Sequence, residues 1–201
     1  MTVIVDYQMG NVGSIMNMLK KVGAEAEISG DPEALRRATR LILPGVGAFD
    51  TGMRHLSDSG LIDVLNDRVL NDKVPVLGIC LGMQLLTRRS EEGSLPGLGW
   101  IEADTIRFQL EDLRVPHMGW NTLRAVNGSP LFQGYQEEPR YYFVHSYHVV
   151  CDNPEDAAGT TEYGLQFVSA VHRGNVMGTQ FHPEKSHKFG MQLLRNFVAL
   201  N

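Results

Sequence analysis

Cysteine is scarce in this chain: Cys80 and Cys151 are the only two in 201 residues. Two thiols make no disulfide framework, so a reducing compartment, the cytoplasm, is the expected location. Long apolar runs are also missing. None approaches the roughly 18 residues that a membrane helix needs, and the opening Met1-Thr-Val-Ile-Val-Asp6 has no basic segment ahead of an apolar one. Neither a signal peptide nor a membrane association is expected. Positive charge is in short supply, with 18 Lys and Arg against 23 Asp and Glu, a formal net charge of −5 and a pI near 5.8. With no basic stripe to neutralise phosphates, a nucleic-acid partner is not expected. No Walker loop and no Gly-x-Gly-x-x-Gly follows the first apolar run. No His or Cys pair has zinc-ligand spacing, so neither a metal nor another cofactor is expected.

What is present is an ordinary globular balance, 43% hydrophobic and 20% charged, long enough for a sheet covered on both faces and read as one domain over residues 1–201. Residues 2–6, 24–29, 40–43 and 74–79 are short strand-like runs. Between them, residues 12–22, a short helix opened by Asp31-Pro32, 48–58 and 61–71 carry helical spacing. Strict alternation predicts an α/β fold with a doubly wound, mostly parallel central sheet. After a helix expected over 81–89, the Gly/Pro-rich stretch 93–99 marks a change. Strands are expected at 100–108, 123–126, 141–150, 159–163, 167–172 and 176–181, giving the sheet mixed, antiparallel additions in its second half. An amphipathic helix is expected over 186–200.

Three stretches can carry chemistry. In Gly78-Ile-Cys80-Leu-Gly82 an apolar strand runs into a helix. The flanking glycines permit a sharp corner that lifts the central side chain clear of the sheet, at the positive end of a helix. Cys80 is then either a presented nucleophile or a small buried cysteine. In Phe181-His-Pro-Glu184, His182 and Glu184 stand two apart at a strand end and are expected on one face. There the carboxylate can orient the imidazole as a base, or the pair can simply close a strand. Pro44-Gly45-Val46-Gly47 ends a parallel strand on the same edge. It reads as a source of backbone N–H groups for an oxyanion, together with Leu81, or as a plain glycine turn. Of the other histidines, His55 and His187 fall on expected helices and His172 at a strand end. His145 and His148, at odd spacing, are expected on opposite faces of one strand. Cys151, in Val-Val-Cys-Asp-Asn-Pro, reads as structural.

In order, these three motifs resemble those of the class I (triad) glutamine amidotransferases, over the whole chain. Within them the resemblance is closest to the glutaminase subunits of imidazole glycerol phosphate synthases. Asp6-Tyr-Gln-Met-Gly-Asn11 and Ser90-Glu-Glu-Gly93 support it, and Val115-Pro-His-Met-Gly-Trp-Asn121 and Tyr142-Phe-Val-His-Ser-Tyr147 narrow it. The resemblance implies a flavodoxin-like core and a catalytic triad of Cys80, His182 and Glu184. It further implies an oxyanion site from Gly45, Val46, Gly47 and Leu81, with L-glutamine held by Gln84, Glu92, His145, Ser146 and Tyr147. It also implies a heterodimer with a (β/α)8-barrel cyclase subunit that takes the ammonia to make imidazole glycerol phosphate and AICAR in histidine biosynthesis. Asn11, Pro116, His117, Met118, Gly119, Trp120, Asn121 and Lys185 match its interface positions. Gln8 departs from that pattern, standing where the family often has glycine. Relatives of this subunit feed a sugar amidotransferase in surface-polysaccharide synthesis, so the same glutaminase with another ammonia acceptor is one rival. A non-catalytic interaction module and a cysteine hydrolase acting on peptides are the others.

Overall fold

The computed structural model describes residues 1–200. In chain order the first half gives β1 (Thr2–Val5), α1 (Val12–Lys21), β2 (Ala26–Ser29), α2 (Pro32–Arg37), β3 (Arg40–Leu43), α3 (Phe49–Asp58), α4 (Ile62–Asn66), β4 (Val76–Ile79) and α5 (Leu81–Leu85). A single π-helical turn, Asp67–Asn71, continues α4. Local chemistry sets the helix starts. The Asn11 side chain accepts from the Ser14 N–H at 3.2 Å, and Asp31 caps α2 with Pro32 in its first turn. The strands pair in parallel in the order β2-β1-β3-β4, as the alternation of elements predicts.

The second half adds β5 (Arg89–Ser90), β6 (Ala103–Arg107), β7 (His117–Thr122), β8 (Arg124–Ala125), β9 (Arg140–His145), β10 (Tyr147–Cys151), β11 (Ala157–Glu162), β12 (Gln166–Arg173), β13 (Val176–Thr179) and α6 (His187–Val198). β13 lies parallel beside β4 and antiparallel to β12. The sheet then continues through β10 and β6 to β5. β7 and β9 form a separate antiparallel pair. Side chains alternate across the central strands and divide the core in two. Val3, Val5, Leu41, Leu43 and Val76 pack with residues of α3, α4 and α5. Ile4, Ile42, Leu77 and Ile79 pack with residues of α1 and α6.

Four expectations are corrected. The helix expected over 81–89 stops at Leu85, because the Thr87 hydroxyl donates to the Gln84 carbonyl at 2.7 Å and Arg89–Ser90 pairs with β6. The strand expected over 141–150 is two strands that part at Ser146, one in each sheet. The strand expected over 176–181 ends at Thr179, and Pro183–Lys185 forms a 3-10 turn. β7 was not expected, because its inward positions are polar (His117, Asn121) and its outward ones apolar (Met118, Trp120), the reverse of a strand's usual alternation.

Candidate active site

The register of three neighbouring strands brings the site together. Leu43 of β3 lies opposite Gly78 of β4, which lies opposite Gly178 of β13. The chain therefore leaves all three at one edge of the sheet, into Pro44-Gly-Val-Gly47, into Cys80, and into Gln180–Glu184. Ligands of open parallel sheets sit at this edge.

Cys80 has φ 55° and ψ −110°, a conformation that costs a non-glycine residue about 1–3 kcal/mol. The two glycines of the motif make the corner possible. A Cβ on Gly82 would sit 1.9 Å from the Leu43 carbonyl oxygen, and one on Gly78 would sit 2.7 Å from the Gly82 oxygen. The Cys80 N–H donates to Thr179 O at 2.7 Å, and its carbonyl accepts from Met83 and Gln84 at 3.1 and 3.3 Å. The Leu81 N–H, first in that turn, has no intrahelical acceptor.

His182 and Glu184 are brought together differently from the expectation. They do not share a strand face. The turn over Pro183–Lys185 folds Glu184 back, so that Oε1 meets His182 Nδ1 at 2.7 Å with both side chains 2% exposed. Backbone bonds fix the imidazole's base: His182 N–H donates to Tyr142 O at 3.0 Å and the Ser186 hydroxyl donates to His182 O at 2.6 Å. Burial works against a charged His182. The nearby Cys80 sulfur, and Glu184 by hydrogen bond and charge, outweigh it and push the imidazole up to about 9. Its Nε2 is buried and makes no hydrogen bond of strict geometry, which leaves that nitrogen to the thiol.

A cavity of about 490 Å³ opens over Cys80 and His182, sized for a small polar ligand. Val46, Gly47 and Leu81 line one side, with Gln84 and Glu92 beside them; His145, Ser146 and Tyr147 form the opposite wall. Ten of the expected site residues thus meet in one place. Gly45 and Glu184 lie just behind it. A Cβ on Gly45 would stand 2.8 Å from Gly82 N, and Gly47 has φ +97°. Glu92 Oε2 accepts from the Phe49 N–H at 2.9 Å. Asp50 holds the following loop by accepting from the Ser94 and Leu95 N–H groups, bonds that depress its own pKa.

Of the residues expected at a partner interface, Met118 and Trp120 are 61% and 49% exposed, and Trp120 stacks on His187. Asn11 and Lys185 are exposed. Pro116 reaches the cavity, Gly119 is half-buried, and Asn121 donates to Glu162 O at 2.8 Å. His117 does not lie on the surface. It is 2% exposed, because its ring packs face to face against Phe143 and Tyr163. His145 and His148 both pack on Phe108 instead of facing apart, since the break at Ser146 puts them on different strands. Gln8 has φ 65°, so this glutamine keeps the left-handed backbone that glycine would favour there.

Two residues at the site escaped sequence reasoning. Gln180, fully buried, points Nε2 at Cys80 Sγ at 3.9 Å and accepts from Gln84 Nε2 at 3.1 Å. Tyr7 is buried and donates its hydroxyl to the Pro44 carbonyl; burial, then the neighbouring Cys80, pushes its pKa far up. A polar residue beside the Phe-His-Pro-Glu motif was the available signal for Gln180.

A thiol at a strained strand-to-helix corner thus shares one cavity with an imidazole that is bound to a carboxylate, both from the segment that follows the adjacent strand. The chain belongs to the glutamine amidotransferase class-I family, which it matches over residues 3–200. It is 54% identical over 199 residues to the imidazole glycerol phosphate synthase subunit HisH 2 of Methanococcus maripaludis, covering 98% of each chain. It is also 54% identical over 201 residues to the subunit of the same name from Pseudomonas aeruginosa, covering 100% of both. Among solved structures, a glutamine amidotransferase superposes with a TM-score of 0.74 at 22% identity, over 98% of this chain and 97% of that one. PurLQS from Thermotoga maritima does so with a TM-score of 0.75 at 16% identity over the same shares. These two likenesses carry the fold alone.

Proposed function

We propose that this chain is the glutaminase subunit of an imidazole glycerol phosphate synthase. It acts as one amidotransferase domain in the cytoplasm, hydrolysing L-glutamine to glutamate and ammonia and handing the ammonia to a separate cyclase subunit. The observation that carries the reading is the cavity in which Cys80 lies beside an imidazole already bound to Glu184. The two HisH 2 relatives support the acceptor pathway.

In this reading His182 takes the Cys80 thiol proton and holds it, the imidazolium facing the thiolate on one side and Glu184 on the other. The Cys80 sulfur attacks the side-chain amide carbon of glutamine, and the oxygen takes up the negative charge. N–H groups of Leu81 and of the Gly45-Val46-Gly47 loop receive that charge, each worth about 3 kcal/mol to the transition state. As the C–N bond breaks, His182 Nε2 protonates the departing ammonia and a thioester remains on Cys80. His182, now neutral, takes a proton from water, the hydroxide adds to the thioester, and glutamate leaves as the thiol recovers its proton. Gln84 and Glu92 bind the amino-acid end of the substrate, with Ser146 and Tyr147 contributing main-chain groups. Met118, Trp120 and Lys185 meet the (β/α)8-barrel cyclase.

The test is glutamate release from L-glutamine, alone and with a cyclase subunit and its ribulose-linked imidazole precursor. Cys80→Ala is expected to abolish hydrolysis while still binding the cyclase. A Cys80→Ala protein as active as the parent overturns the mechanism. Activity that the cyclase and precursor never stimulate overturns the acceptor and favours another amidotransferase partner, such as one acting on a sugar.

A further inference from the structure

The cavity wall at His145–Tyr147 is held by a chain of hydrogen bonds whose direction has one solution. It begins at Tyr147 O, a carbonyl that can only accept. His145 Nδ1 lies 2.7 Å from it and so must carry the hydrogen. Neutral His145 then offers Nε2 as an acceptor, and His117 Nδ1 lies 3.0 Å away and must donate. Neutral His117 in turn offers Nε2, and Asn121 Nδ2 stands 3.2 Å from it. The amide orientation of Asn121 is fixed independently: Nδ2 also donates to Glu162 O at 2.8 Å, while Oδ1 accepts from the Thr122 N–H at 2.8 Å. Every donor finds an acceptor under this assignment.

We infer that His117 and Asn121 are positioning residues for the substrate wall, locking His145 in its Nδ1–H tautomer and thereby fixing the Tyr147 carbonyl against the cavity. This rests on reading the cavity as the glutamine site. Tyr147 O is also the neighbour of Gln84 Nε2, at 3.4 Å, so the relay reaches a second cavity residue. Both rings are buried among aromatic side chains. Burial keeps both neutral, pushing His117 down to about 4 and His145 down to about 3. His117 and His145 lie directly opposite in the β7–β9 register. A shift of β7, whose other face bears Met118 and Trp120, is therefore transmitted to the wall through two hydrogen bonds.

The test uses the full chain with its cyclase subunit for kinetics and ¹⁵N-histidine-labelled protein for tautomers. The parent is expected to show Nδ1–H at both His117 and His145. His117→Leu removes the donor and is expected to raise the KM for L-glutamine about tenfold with kcat within about threefold, and to leave His145 Nε2 without its hydrogen bond, read as a shift of that nitrogen's resonance while Tyr147 O keeps the hydrogen on Nδ1. His117→Asn carries an amide nitrogen on Cγ, where Nδ1 stands, and is expected to restore both the KM and the Nε2 resonance of His145. An Nε2–H tautomer at His145 in the parent overturns the proposal without any variant. So does a folded His117→Leu protein with the KM and the His145 Nε2 resonance both unchanged. If His117→Leu does not fold, Asn121→Ala and the parent spectrum decide. A parent that hydrolyses no glutamine refutes the functional reading instead, and the relay still stands or falls on its tautomers.

Discussion

Replacing Glu184 by Gln isolates what the carboxylate does for the imidazole. His182 rises from 6.5 to about 9 despite its burial, which corresponds to about 3 kcal/mol favouring the charged ring. The Cys80 sulfur and Glu184 provide that stabilisation, Glu184 by hydrogen bond as well as by charge. A neutral amide at 184 keeps a hydrogen-bond acceptor for Nδ1 and loses the charge. The expected fall is ~1–2 units, bringing the ring's titration close to neutrality. The pH dependence of stability follows in sign. A folded value above the unfolded one contributes stability that is complete below pH 6.5 and is lost as pH rises through about 9. The Glu184→Gln protein should therefore lose part of its advantage at pH 6 and show a flatter decline towards pH 9. The assay is the His182 ring titration by ¹⁵N NMR, with urea unfolding at pH 6 and 9 and kcat for glutamine hydrolysis. An expected drop in kcat of ~10²-fold accompanies the shift, within the range for general acid–base groups. A titration within 0.3 units of the parent (about 0.4 kcal/mol), with kcat down less than threefold, would refute the ion-pair account of the site.

Other consequences are simpler to read out. Gly82→Ala puts a methyl 1.9 Å from Leu43 O, which a backbone atom cannot yield to cheaply; a loss above about 3 kcal/mol in urea unfolding is expected, and unchanged stability would contradict the corner geometry. Gly13→Ala, in α1 with nothing within 4 Å of the new Cβ, should instead stabilise by about 0.5–1 kcal/mol. On the acid side, His117 and His145 have folded values of about 4 and about 3, below the unfolded one. The unfolded chain takes up protons first, and stability falls as pH drops below 6.5, by at most about 2 kcal/mol per ring at pH 5. Unfolding at pH 7.5 and 5 should show a smaller loss for His117→Asn than for the parent, and equal losses would exclude the ring as the cause.

How much of this was readable in the sequence depends on distance along the chain. The corner at Gly78–Gly82, the Pro44-Gly-Val-Gly47 turn and the His182–Glu184 pair are local patterns whose chemistry and geometry come from residues within five positions of one another. They were legible, and so was the parallel half of the sheet, through its alternating elements. The mechanism of the His182–Glu184 meeting was not. Strand alternation suggested a shared face, and Pro183 in a 3-10 turn did the work. Gln180, Tyr7 and His117 were missed or misplaced because their partners are 100, 37 and 28 residues away, and nothing nearby in the chain marks those contacts. β7 hid for the same reason: its polar residues face inward because His145 and Asn121 satisfy His117 there.

The placing of β13 beside β4 has a consequence for how the protein comes into being. Val76 pairs with Val176, so the strand that carries the sulfur meets the strand that carries its base only after a hundred further residues have been made. Closing so long a separation is among the later steps open to a folding chain. Until it closes, Cys80 has no His182, no Glu184 and no Thr179 carbonyl to hold its corner. In the proposed reading, a copy in which β13 has not yet closed on β4 is expected to leave glutamine untouched. Reactivity then reports that one pairing, and not the folding of either strand by itself.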